Sequence, residues 1–187
     1  MKTALLASFG KDAPLVRLGK LLKEKGWNLL GSAGTAKYLN DNDIPCRDVG
    51  EIVGAPILGH RVVTLSREIY AGLLAATPED FAELEKQEIT RIDLVYVTLY
   101  PLEATILDKK STPHDVIEKT DIGGPTLLRA AAKGRRVVLS SPEQLDEFEK
   151  HLSQDSFDEK YLVKLAAAAE RRVADYVDAS ASYWEKQ

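Results

Sequence analysis

Residues 120–136, TDIGGPTLLRAAAKGRR, place a carboxylate, two glycines, a proline, an alanine run and a cluster of cations in one segment. Asp121 can take or hold a proton. Just after it, Gly123 and Gly124 lack the side chains that would keep a ligand away from the backbone. Pro125 suits the first turn of a helix, predicted over 125–134 with Gly134 as its stop. Lys133 then falls at the far end of that helix, where complementing the helix dipole is the plainer use of a lysine. It meets a site at the helix start only if another surface brings the two together.

A second group is GSAGTAKYL, 31–39, between a predicted strand and a predicted helix. Free amides at a helix start, with the Ser32 and Thr35 hydroxyls and Gly34 between them, suit an anion. The same residues serve equally well as an ordinary helix cap. Lys11, just after the first predicted strand, falls at the same sheet edge, either as an added cation or as a surface lysine. VTLYPLE, 97–103, ends another strand with Tyr100, although a tyrosine there more often only covers apolar surface. The residues alone support a small anionic metabolite held at strand ends.

The elements that must position these groups alternate between short apolar runs and amphipathic segments. That pattern predicts an α/β fold: a three-layer parallel sheet flanked by helices, in one domain spanning 1–187. Strands are predicted at 3–9, 27–32, 46–49, 91–100 and 135–141, with 91–100 central. Helices are predicted at 13–26, where Leu15, Leu18, Leu21 and Leu22 share a stripe, and at 34–42. Residues 50–66, rich in glycine, read as a long loop of the kind that is usually functional. A long helix is predicted after Ser156, with Ser156 and Glu159 as its capping box.

Composition narrows the function classes. The 187 residues are 44 % hydrophobic with a formal charge of −4, which disfavours a nucleic-acid binder and leaves room for a local basic pocket. Cys46 is the only cysteine, so neither a disulfide within the chain nor a cysteine-based zinc site is expected. The N-terminal apolar run is too short for a signal sequence, and no run approaches the ~18 apolar residues of a membrane span. A cytoplasmic location without membrane or nucleic-acid partners is expected.

The stretches LLGSAGTAKYL, DLVYVTLYPLE and DIGGPTLLRAAAKG, with a partial RVVTL…AGLL, together resemble the IMP cyclohydrolase domain of the bifunctional AICAR transformylase/IMP cyclohydrolase family. The resemblance runs almost the full length and includes nothing of the transformylase half. It implies a methylglyoxal synthase-like fold and closure of formyl-AICAR to IMP with loss of water, without metal or other cofactor. It further implies a homodimer and a separate AICAR formyltransferase as supplier. By position, Tyr100, Asp121 and Lys133 match family active-site residues. Lys11, Ser32, Gly34 and Thr35 match phosphate-binding turns, Thr64 a neighbouring phosphate or base contact, and Gly123 and Gly124 backbone contacts to the base. In the family, the dimer and the fold bring Lys133 to the site.

This chain departs from the family pattern at several positions. Val63 stands where the family has a catalytic lysine, Ser66-Arg67 replaces His-Pro, Thr98 replaces an asparagine, and Ala33 replaces a glycine; Arg61 or Arg67 is a candidate replacement charge. Two functions follow: an IMP cyclohydrolase, or a purine-nucleotide-binding paralogue or sensor without turnover. Methylglyoxal synthase-like phosphate elimination ranks below both, because the Gly-Thr-Thr-Gly turn it uses is absent.

Overall fold

The computed structural model describes residues 1–58 and 62–187. Five strands form one sheet in the order β3-β2-β1-β4-β5. They are β1 (Thr3–Ser8), β2 (Asn28–Gly31), β3 (Arg47–Asp48), β4 (Leu94–Thr98) and β5 (Val137–Leu139), and every pairing is parallel. Leu5 lies opposite Leu30 on one side and Val95 on the other. Runs such as TALLAS and LVYVT carry no polar alternation because helices cover both faces of such strands; Leu5, Leu6, Val95 and Tyr96 are fully buried. The predicted strands are all present, though shorter. The centre of the sheet is β1, and β4 lies beside it.

Helix α1 (Ala13–Glu24) starts where the Asp12 side chain accepts from the Leu15 amide, and it stops before Gly26, whose φ of 74° suits glycine. Helix α2 is Ala33–Asn40. The predicted loop holds a short α3 (Gly50–Val53) and an antiparallel bridge between Ile57 and Val62. Two helices not anticipated from the sequence follow. In α4 (Arg67–Leu74) the Ser66 side chain accepts from the Ile69 amide, and α5 (Pro78–Lys86) has a capping box of Thr77 and Asp80. The C-terminal end of α4 is held by the buried Arg136 guanidinium, which donates from Nε to the Leu73 carbonyl at 2.9 Å and also to that of Ala75.

The remaining helices are α6 (Leu102–Leu107), α7 (Pro113–Glu118), α8 (Gly123–Lys133), α9 (Leu145–Gln154) and α10 (Glu159–Trp184). Helix α8 begins at Gly123, two residues before the predicted start. Helix α10 is capped by Asp158, whose carboxylate accepts from the Tyr161 amide at 2.8 Å. Ser156 does not fill that role because it lies two residues too early; its carbonyl instead meets His151 Nδ1 at 2.7 Å. Helices α8 and α10 pack on each other and on the β4–β5 side of the sheet. Among the described residues no helix is long and apolar enough to cross a membrane.

The chain winds from β1 to β2 and β3 on one side, then returns to β4 and β5 on the other. Such a reversal splays the loops at the carboxyl ends of β1 and β4 and opens a crevice there.

Candidate functional site

A cavity of about 830 Å³ occupies this crevice. The turns after three adjacent strands reach it: Phe9 and Lys11 after β1, Ser32 and Gly34 after β2, and Tyr100 after β4. Asp121, Gly123 and Gly124 close it from the start of α8, and Val63 and Thr64 from the segment before α4. Eight of the ten site residues expected from the sequence therefore share one space. The Thr64 hydroxyl would lie 3.1 Å from a Cβ at Gly123, which shows how closely that segment approaches α8.

The other two lie elsewhere. Thr35 is fully buried beneath the cavity, where its hydroxyl accepts from the Ser8 amide at 3.1 Å and from Ser32 Oγ at 3.0 Å. It ties α2 to β1. Lys133 is exposed at the far end of α8, about 15 Å from Gly123 along the helix axis, and does not line the cavity.

One end of the cavity suits an anion. Ala33 and Gly34 begin α2, and amides in a first turn have no partner within their own helix. A Cβ at Gly34 would meet only Lys11 Cε, at 3.7 Å, so the glycine leaves that face open and the lysine stem crosses it. Lys11 Nζ donates to the carbonyls of Ser8 and Phe9. Partial burial lowers its pKa from the usual lysine value, opposed by Asp12. The turn that carries Lys11 is organised by Thr98, whose Oγ1 accepts from the Phe9 amide at 2.8 Å and the Gly10 amide at 3.3 Å, and meets Ser8 Oγ at 2.7 Å.

Where Asp121 lines the cavity, burial raises the pKa of its carboxyl above the usual carboxylate value, opposed by backbone amides of Gly124, Gly123 and Tyr100. The Gly124 amide donates to Asp121 Oδ1 at 3.0 Å. A side chain at Gly124 would collide with Asp121 Oδ2 and approach Leu99 Cδ2 to 2.7 Å. The amide of this glycine therefore holds the acid and is not free for a ligand. Tyr100 packs on Phe9 with ring centroids 5.1 Å apart, and Lys119 Nζ lies 5.8 Å from the Tyr100 ring.

The cavity wall at Val63 is apolar. Arg67 does not replace the missing charge, since it donates to Gln87 on the exposed side of α4; Arg61 lies outside the described residues. Cys46 is buried outside the cavity lining, and burial pushes its thiol up to about 12. Among the described residues no group of His, Cys, Asp and Glu could hold a metal ion.

Tyr176 of α10 is a site residue that sequence reasoning missed. Its hydroxyl accepts from the Asp121 amide at 2.7 Å and donates to the Lys119 carbonyl at 2.9 Å, pinning the turn that carries the acid. Burial pushes its pKa up to about 12, so it stays a donor. No local signal marks it, because 55 residues separate it from Asp121. Tyr176→Phe should leave both backbone groups unsatisfied and lower stability by about 1–3 kcal/mol, read from urea unfolding. An unchanged midpoint would mean that the phenol does not hold this turn.

A family model for the MGS-like domain matches residues 14–126. The bifunctional purine biosynthesis protein PurH of Prochlorococcus marinus is 38 % identical over 188 residues, covering 98 % of this chain and 36 % of that protein. PurH of Thermosynechococcus vestitus is 42 % identical over 193 residues, covering 99 % of this chain and 37 % of that protein. The chain thus spans little more than a third of the length of these curated relatives. Among solved structures, the crystal structure of ForH matches with a TM-score of 0.84 at 31 % identity, over 98 % of each chain.

Proposed function

Because this chain belongs to the MGS-like domain family, in the branch represented by PurH of purine biosynthesis, we propose that it is an IMP cyclohydrolase that closes formyl-AICAR to IMP. One observation carries this reading: a single cavity is lined both by a cation and helix amides and by a partly buried acid with a tyrosine. A nucleoside monophosphate has the matching polarity, with its dianion at one end and the reacting amide and formyl groups at the other.

In the reaction the carboxamide nitrogen attacks the formyl carbon and a C–N bond forms; that nitrogen gives up one proton and the formamide nitrogen the other, so that the formyl oxygen leaves as water and a ring C=N bond replaces the C–O bond. Holding the two groups in contact removes most of the entropic barrier. Asp121 accepts the amide proton, and burial, which raises its pKa above the ordinary carboxylate value, makes it a better proton acceptor than an exposed carboxylate. Tyr100 positions the amide and relays the proton towards the departing oxygen. The oxyanion that forms on the formyl oxygen needs a cation, and Lys133 fills that role only when a second copy brings it to the cavity. The working form is therefore a cytoplasmic homodimer, and an AICAR formyltransferase must supply its substrate.

Ligand preference tests the anion end. IMP is expected to bind and inosine to bind at least about a hundredfold more weakly, since the phosphate engages Lys11 and the α2 amides. Equal affinities in calorimetry would remove the phosphate site.

A second reading is a nucleotide-binding protein without turnover. Val63 favours it, because an apolar side chain stands at the wall where the resemblance implies a catalytic lysine. Conversion of formyl-AICAR separates the two.

A further inference from the structure

We infer that Trp184 forms the base-stacking wall of the ligand site, its indole lying against the planar heteroaromatic ring of a bound nucleotide. This rests on the nucleotide reading above and goes beyond it by naming what recognises the base.

Trp184 is the last residue of α10 and lines the same cavity as Lys11 and Asp121. Trp184 is 39 % exposed, whereas Trp27, the other tryptophan, is 4 % exposed in the core. An indole left open on a cavity wall exposes a large apolar face to water, and covering that face with another flat ring is favourable. Ile117 and Ile122, also exposed, line the same cavity and add apolar surface for a ring. The Lys11 and α2 end of the cavity has the donors for a phosphate, so the base of a nucleotide anchored there extends away from them.

The other two aromatic rings of the cavity have each other as a partner, although Phe9 is itself exposed. Phe9 and Tyr100 pack on each other at 5.1 Å with planes 53° apart. Trp184 meets Tyr183 with ring centroids 4.8 Å apart at 80°, so the two rings do not stack face to face. Its position is not left to a fraying helix end alone, because Tyr176 on the same helix bonds the Asp121 turn and fixes α10 relative to the acid.

Three measurements test this on the full chain. Tryptophan emission should change on addition of IMP and stay unchanged with ribose 5-phosphate, which has the phosphate but no base. Trp184→Ala should lose the emission change and bind IMP about tenfold to a hundredfold more weakly in calorimetry, with ribose 5-phosphate affinity unaltered. Trp184→Phe should retain IMP affinity within a few-fold, since a flat ring remains. Wild-type affinity for IMP in Trp184→Ala would overturn the assignment, as would an equal loss for IMP and ribose 5-phosphate. If wild-type protein binds no IMP, the nucleotide reading falls with it; normal IMP binding insensitive to Trp184 overturns the stacking wall alone.

Discussion

Asp121→Asn is expected to lower the rate of IMP formation by about 10²–10⁴-fold and to leave the fold at least as stable as wild type at neutral pH. The amide keeps the oxygen that accepts from Gly124 but can no longer take a proton. The stability half follows from the sign of the pKa shift. Burial raises the folded-state value above the ordinary 3.8, so the folded chain binds a proton more readily than the unfolded one. Stability from this group is therefore full below about 3.8 and is lost as pH rises through the folded value. At neutral pH the buried carboxylate is a cost that the asparagine does not carry. Urea unfolding at pH 7 should show Asp121→Asn equal to or above wild type, and the difference should vanish in acid. Normal turnover, or a marked loss of stability at pH 7, would make Asp121 only a support for the start of α8.

Lys133→Ala is expected to reduce turnover by about 10²–10³-fold with a smaller change in IMP affinity, the effect of removing one oxyanion donor. Because Lys133 lies outside the cavity of its own chain, the proposed role requires a partner copy. Mixing inactive Lys133→Ala with inactive Asp121→Asn tests that directly. A hybrid dimer then holds one intact site, with Asp121 from one copy and Lys133 from the other. Random exchange restores about a quarter of wild-type activity. If both residues served one chain, no intact site would form and mixing would restore nothing. A fully active Lys133→Ala would remove the lysine from the mechanism.

Much of the scaffold was legible because the strands are continuous apolar runs between turn residues, and a parallel sheet covered on both faces produces that signal. Which strand is central was not, since strand order depends on where the chain reverses, and TALLAS and LVYVT are equally apolar. The glycine- and serine-bearing turns after the strands were readable as one edge, and they do share a cavity. Thr35 shows the limit of that logic. A hydroxyl in a phosphate-like turn can point at a ligand or back into the sheet, and here it binds Ser8. Tyr176 and Trp184 were invisible for a different reason. Both are brought to the site only by the packing of α10, which no local spacing encodes. Ser66, Thr77 and Asp80 are helix-capping residues in plain view, yet the helices they start lie where the apolar pattern is short and broken.

The central claim is ring closure, and the direct measurement is absorbance of IMP on mixing the purified protein with formyl-AICAR. Many turnovers per chain are expected, abolished in Asp121→Asn and, if the cation comes from a partner, recovered in part when that variant is mixed with Lys133→Ala. Tight binding of formyl-AICAR with no formation of IMP would contradict the claim and leave a nucleotide-binding protein whose apolar Val63 wall replaced catalysis.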